Sequence, residues 1–128
     1  MEIQIGMRGE ASILVEREDT AEAVCSGALL VYATPCMIAL MEGAACEAIN
    51  EAIPEGYSSV GIELNVQHTA ATPVGMEVRA EAEVTAVEGK IITFTVKAFD
   101  EVGEIGSGTH KRAVINAQRF LDKAYAKL

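Results

Sequence analysis

Long apolar runs are missing from this chain. The longest, around Ala28 to Ala33 and Cys36 to Met41, fall well short of the ~20 residues a membrane-spanning helix needs. The start, Met1-Glu2-Ile3-Gln4, carries no basic segment of the kind that opens a secretory leader. A soluble, cytoplasmic protein with no membrane partner is the expectation. Cysteine is scarce as well. Cys25, Cys36 and Cys46 are odd in number, lie in apolar surroundings and have no C-x-x-C spacing, so no disulfide framework is implied and reduced thiols serve as small core residues. Cations are outnumbered, 10 to 19, and a net charge of −9 opposes polyanions over the general surface. Nucleic acid is therefore not an expected partner. The nearest basic cluster, His110-Lys111-Arg112, would alternate between the faces of a strand and could not act as one patch. A small anionic ligand stays open, because one or two local cations and backbone amides suffice to hold it.

Several signatures of catalysis are absent too. No G-x-S-x-G elbow exists for a serine hydrolase, and His68 and His110, the only two histidines, fall in different predicted strands without Cys/His spacing for zinc, so no metal is expected. Gly103-x-x-Gly106-x-Gly108 lacks the G-x-G-x-x-G order and lies between strands, so close backbone approach or a bulge explains it better than a nucleotide. Neither internal repeats nor low-complexity segments appear.

What is present is half hydrophobic, which rules out disorder, and 128 residues make one domain, 1–128, with a real core. An early strand is expected around Ala11 to Val15, a charged turn over Glu16 to Asp19, and a turn at Pro54-Glu55-Gly56. Residues 20–33 are apolar without a clean period, which leaves a short helix, a lid or a buried connection open. Pro35 to Asn50 reads as an apolar, central, buried helix of about four turns, with Thr34 suited to N-capping and Pro35 to the first helical position. Met76, Val78, Ala80, Ala82, Val84 and Ala86 alternate with polar residues, a period of two that predicts a long antiparallel strand with one wet face. Turns at Val87 to Lys90 and Asp100 to Gly103 then join Ile91 to Phe99 and Glu104 to Ile115 in a meander. Ala117 to Leu128 looks helical. One apolar helix followed by long antiparallel strands is an α+β pattern, a sheet wrapped around a helix in the manner of the hotdog fold. One helix cannot cover the concave face of such a sheet, and the sheet has an open edge, so a homodimer is expected.

Two residues break these patterns. In Ile62-Glu63-Leu64-Asn65-Val66-Gln67-His68 the imidazole falls in register with the apolar residues, where it is either a core histidine satisfied by a carbonyl or a general base. On the predicted helix, Glu42 neighbours Ile38, Ala39, Ala45 and Cys46, all apolar, so its carboxylate needs a buried partner or a function. Glu47, beside Gly43, Ala44, Asn50 and Glu51, looks like an ordinary solvated glutamate.

Around these residues the chain resembles the fluoroacetyl-CoA thioesterase family. The matching segments are Ala33-Thr34, Leu40-Met41-Glu42, His68-Thr69-Ala70-Ala71-Thr72-Pro73-Val74-Gly75, Val87-Glu88-Gly89 and Glu104 through Ile115. The resemblance implies a hotdog acyl-CoA hydrolase with catalytic Thr34, Glu42 and His68, with Gly61 and Arg112 contacting substrate, and with no cofactor beyond the CoA of the substrate. In it Glu42 attacks the carbonyl or positions water, His68 moves protons, Thr34 holds Glu42 or the water, and Arg112 orients substrate or a carboxylate, so that its loss would leave the fold intact. Fluoroacetyl-specific members place aromatic residues before the threonine, whereas residues 16–33 here offer Tyr32 and no phenylalanine, which favours a general short-chain acyl-CoA substrate. An enoyl-CoA hydratase or dehydratase, or an acyl-CoA-binding module, would use the same fold. Eight residues of ideal helix rise about 12 Å, so Thr34 and Glu42 of one regular helix cannot touch. Either the chain folds back near Thr34 or two subunits share the site.

Overall fold

The computed structural model describes residues 2–128. Strand β1 (Arg8–Leu14) leads through a short 3-10 turn (Arg17–Asp19) and a loop to helix α1 (Thr34–Ile49). Strands β2 (Tyr57–His68), β3 (Glu77–Glu88), β4 (Ile91–Phe99) and β5 (Glu104–Asn116) follow, and helix α2 (Ala117–Tyr125) ends the chain. The expected meander is present. All pairings are antiparallel, in the order β1-β3-β4-β5-β2, so β1 and β2 are the two edges. Among the described residues no helix is long and apolar enough to cross a membrane.

The alternation read along β3 fixes which face is wet. Val78, Ala80, Ala82 and Val84 are buried, as are Ile92, Phe94, Val96 and Ala98 on β4, and all face α1. Helix α1 answers with Met37, Met41, Ala44, Ala45 and Ile49, a stripe repeating every three or four residues. The helix is not buried all round, as its composition suggested. Ala39 and Gly43 are exposed and Ile38, Glu42 and Cys46 half-buried, because α1 packs chiefly on β1 and β3 and hardly touches β2. The open side of the concave face is where Leu64 lies, 39% exposed, with the 51%-exposed Ile62 beside it in the strand.

Close approach of α1 to β1 depends on Gly9. A Cβ there would collide with backbone atoms of Ala44 and Ala48, and Glu47 Oε2 accepts a hydrogen bond from Glu10 N–H at 2.8 Å across the same contact. Glu47 is thus a strap between helix and edge strand, not the freely solvated residue its helical neighbours suggested. Gly106 and Gly108 likewise admit Gln67 and Asn65 carbonyls, and a register shift at Ala98/Phe99 marks a bulge opposite Glu104 and Gly106. Both of the structural explanations for the Gly103–Gly108 spacing hold.

Strand β2 holds the one feature that its sequence hid. Gly61 pairs with Arg112 and Glu63 with Lys111, so Ile62 is an extra residue in a β-bulge. Residues directly opposite each other share a face, which puts Ser59 and Gly61 before the bulge, and Leu64, Val66 and His68 after it, on the concave side. The alternation that identified His68 is therefore real from Leu64 onward, while Ile62 belongs to neither phase.

Gly9→Ala is expected to lower stability by about 1–3 kcal/mol through overpacking against the helix backbone, whereas Gly103→Ala, where an added Cβ meets nothing, should leave the urea midpoint unchanged. Equal midpoints for the two variants would mean that α1 shifts freely on β1.

Candidate active site

Two polar pairs stand on α1, about two turns apart. At its start the helix begins one residue earlier than predicted, with Ala33 as N-cap and no side-chain cap. Thr34 is thereby free of a capping role, and its Oγ1 lies 2.8 Å from His68 Nδ1 at the end of β2. The ring's other nitrogen, Nε2, is buried without a partner. Burial pulls the His68 pKa below 6.5, with the Ala70 backbone pulling weakly the other way, so the ring is neutral near neutral pH. A neutral imidazole with one nitrogen oriented and the other unengaged is equipped to take or give a proton.

The second pair forms where α1 passes the bulge. Glu42, with 35% of its side chain exposed, accepts a hydrogen bond on Oε2 from Arg112 Nη1 at 3.1 Å. Arg112 is 6% exposed and holds Ser59 as well, through Nε to Oγ at 2.9 Å and Nη2 to the carbonyl at 3.0 Å. Gly61 completes the fit, because a Cβ at this position would overlap Glu42 Oε2 and crowd Arg112. The carboxylate has a partner, as its apolar helical setting required, and the partner is within the same chain. Within one chain Thr34 does not hold Glu42: α1 is regular from Thr34 to Ile49, so no fold-back brings them together.

Arg112 was expected to lie where its loss would spare the fold. Burial and four hydrogen bonds to three residues, counted with its contact to His110 Nε2 at 3.2 Å, make it structural as well. His110 and Ser59 were missed by the sequence reading. The signal for His110 was present: the alternation that separates Lys111 from its neighbours also puts His110 and Arg112 in phase with Val114, which is buried.

The loop that the sequence left undecided is a lid. It is pinned at its base by a bridge between Thr20 and Tyr32, both buried, and by one between Val31 and Pro73. Between these anchors Val24, Leu29 and Leu30 are exposed, and Cys25 adopts a left-handed φ of 61°. A cavity of about 280 Å³ opens beneath it, lined by Ala21, Ser26, Val31 and Tyr32 on one side and by Thr34 and His68 on the other. A larger open groove of about 440 Å³ lies on the convex face among Arg8, Glu10, Glu83 and Lys97, far from either pair, and is a solvated charged surface. In the block after His68, Thr72 is a structural residue whose hydroxyl donates to Asp100 Oδ2 at 2.8 Å. Among the described residues no group of three or more His, Cys, Asp or Glu side chains is placed to hold a metal ion.

A curled five-stranded antiparallel sheet with a helix packed against it is the hotdog-like arrangement of the thioesterase superfamily. Residues 15–118 match the family described as fluoroacetyl-CoA-specific thioesterase, and the chain belongs to that family. A fluoroacetyl-CoA thioesterase of Streptantibioticus cattleyicolor is 45% identical over 97 residues, 76% of this chain and 70% of that protein. A solved fluoroacetyl-CoA thioesterase superposes with a TM-score of 0.94 at 36% identity, covering 100% of this chain and 99% of the other. A single-residue threonine-to-serine variant of that enzyme, solved with acetyl-CoA, gives 0.93 at 36% identity over 98% of both chains.

Arg112→Ala is expected to cost roughly 2–4 kcal/mol, below the full loss of a buried pair because Glu42 keeps some water contact. Urea denaturation checks this, and an unchanged midpoint would place Arg112 outside the fold's stabilising contacts.

Proposed function

We propose that the protein hydrolyses short-chain acyl-CoA thioesters to free acid and CoA, working as a homodimer that shares its sites between copies. The observation that carries this reading is the Thr34–His68 pair at the wall of a cavity, with His68 Nε2 buried and unpartnered. A thioester suits so sparse a site, because the departing thiol, with a reference pKa of about 8.5, needs little help from an acid. The protein has only to activate an attacker and hold the carbonyl oxygen.

In this mechanism Glu42, gripped by Arg112 through Oε2, offers Oε1 to a water molecule and orients it for attack. His68 carries the proton toward the leaving sulfur, and Thr34 fixes the plane of its ring. A backbone N–H near Gly61 faces the developing oxyanion. Arg112 acts through the Glu42 carboxylate. The acyl group lies in the cavity under the lid, where Val31, Ala70 and Ala71 supply apolar contact and Tyr32 is the one aromatic lining residue, with no phenylalanine, which favours a range of short acyl chains over fluoroacetyl alone.

Separation of the two pairs along one regular helix, about 12 Å by its rise, supports a shared site. Edge strand β2, with Ile62 and Leu64 exposed, would pair with a second copy and continue the sheet. Such pairing would also cover the concave face that α1 leaves open. A dimer mass at micromolar concentration is expected by analytical ultracentrifugation. A monomer would remove the shared site.

Thiol release from acetyl-CoA and longer acyl-CoAs, followed with a thiol reagent, tests the activity itself. Hydration of an enoyl-CoA without thiol release would establish the hydratase instead, and binding without turnover a carrier module. Glu42→Gln is expected to lower kcat by at least ~10²-fold while the protein stays folded, because the amide oxygen still accepts from Arg112. A strongly destabilised variant that kept its activity per folded molecule would make Glu42 structural only.

A further inference from the structure

The mechanism leaves one buried ionisable group unused. His110 is 0% exposed, stacks on Phe94 of β4 with ring centroids 5.8 Å apart, and sits behind Arg112 on β5. Its two nitrogens meet partners that fix its tautomer. Nδ1 lies 2.9 Å from the carbonyl oxygen of Glu63 on β2, an atom that can only accept, so Nδ1 carries the proton. Nε2 lies 3.2 Å from Arg112 Nη1, which can only donate, so Nε2 presents its lone pair. The same Nη1 grips Glu42.

We propose that His110 is a positioning residue for hydrolysis: in its neutral Nδ1–H form it holds the Arg112 guanidinium at the angle that aims the Glu42 carboxylate, and its protonation undoes that aim. The inference rests on Glu42 being catalytic. Protonation would put a second N–H, and a second positive charge, against Arg112 Nη1. An acceptor for the new proton stands at Glu42 Oε2, 3.9 Å from Nε2. Glu42 would then turn from arginine to histidine and Arg112 would lose a partner. The groups facing the ring from each packed element are Glu42 on α1, the Glu63 carbonyl and Gly61 on β2, Phe94 on β4 and Arg112 on β5. Lys111 and the Glu63 carboxylate pair on the opposite face. Burial first, and the Arg112 charge after it, pull the His110 pKa below 6.5, against opposing influences from the Glu63 carbonyl and Glu42. The neutral form therefore prevails at neutral pH and gives way only in acid. Activity dependent on it falls as pH drops toward that lowered value.

The test compares His110→Phe, which keeps the stacking and removes the acceptor, with His110→Gln, which can place an uncharged acceptor near Nε2. Both are to be measured as kcat and KM per folded molecule across pH. The Phe variant is expected to lose up to about 10²-fold in kcat with a smaller change in KM, as misaimed catalytic groups do. The Gln variant should recover most of that loss at neutral pH. Its acid limb should also fall with one proton fewer than that of the unmodified protein. Wild-type kcat in the Phe variant, or an unchanged limb in the Gln variant, would overturn the proposal.

A second measurement holds even if both variants misfold. The chain has two histidines, so imidazole ¹⁵N spectra of the full protein, with His68→Ala to identify the remaining ring, report the His110 tautomer directly. An Nδ1–H form titrating below 6.5 is expected, and an Nε2–H or charged ring at neutral pH would refute it. If no acyl-CoA is hydrolysed at all, the proposed activity fails while this spectrum still stands or falls by itself. If hydrolysis is present and His110→Phe is indifferent, only the positioning role fails.

Discussion

A guanidinium has five N–H donors in a rigid plane and no accessible neutral form, so burying one obliges the surrounding chain to supply acceptors in fixed directions. Arg112 imposes that demand here. Its acceptors come from three elements: Ser59 from β2, Glu42 from α1 and His110 from its own strand. A helix that otherwise leans on β1 and β3 is thereby tied to the far edge of the sheet at one point, and that point is a carboxylate. The same interaction fixes the rotation of α1 about its axis and the direction of Glu42. Gly61 is the local condition for it, since any side chain there would occupy the carboxylate's position.

The resulting layout separates labour along the helix. Its first turn supports a neutral imidazole through a hydroxyl, and its third holds an anion through a cation. Bringing histidine and glutamate into direct contact would favour the imidazolium and weaken the ring as a base at neutral pH. Keeping them apart in one chain leaves His68 under the control of burial. The loop over residues 20–33 adds a boundary that is pinned at both ends and exposed between them.

Much of this was legible before any coordinates, and the reasons differ by element. Strands β3 and β4 announce themselves because each has one wet and one dry face, and β4 matches its expected limits of Ile91 and Phe99. Helix α1 was legible as a helix but not in its exposure, because alanine and glycine are equally at home under a sheet and in water. Glu42 and His68 stood out as polar residues in apolar phase. Thr34, Gly61 and Arg112 came through family resemblance, and their contacts supply physical reasons for each. His110 was passed over because its alternation with Lys111 was used to dismiss a surface patch and not to ask which residues turned inward. Glu47 misled because its partner, the Glu10 amide, is distant in sequence and belongs to the backbone, where side-chain patterns carry no trace. The lid has no period to read.

The bulge at Ile62 gives β2 a parity. Before it the odd-numbered residues Ser59 and Gly61 face the helix, and after it the even-numbered Leu64, Val66 and His68 do. The strand thus carries the arginine's acceptor in one frame and the His68 imidazole in the other, with a single residue as the phase shift between them. The bulge is what keeps the two ends in step: were Ile62 taken into the ladder as an ordinary residue, either Ser59 or His68 would turn to the wrong side, whereas its loss would leave Gly61, Glu63 and Leu64 in unbroken alternation with both still facing the helix. One residue held out of the count thus reconciles two frames, and an addition forced into the ladder, more than a loss, is what would part the arginine's acceptor from the imidazole.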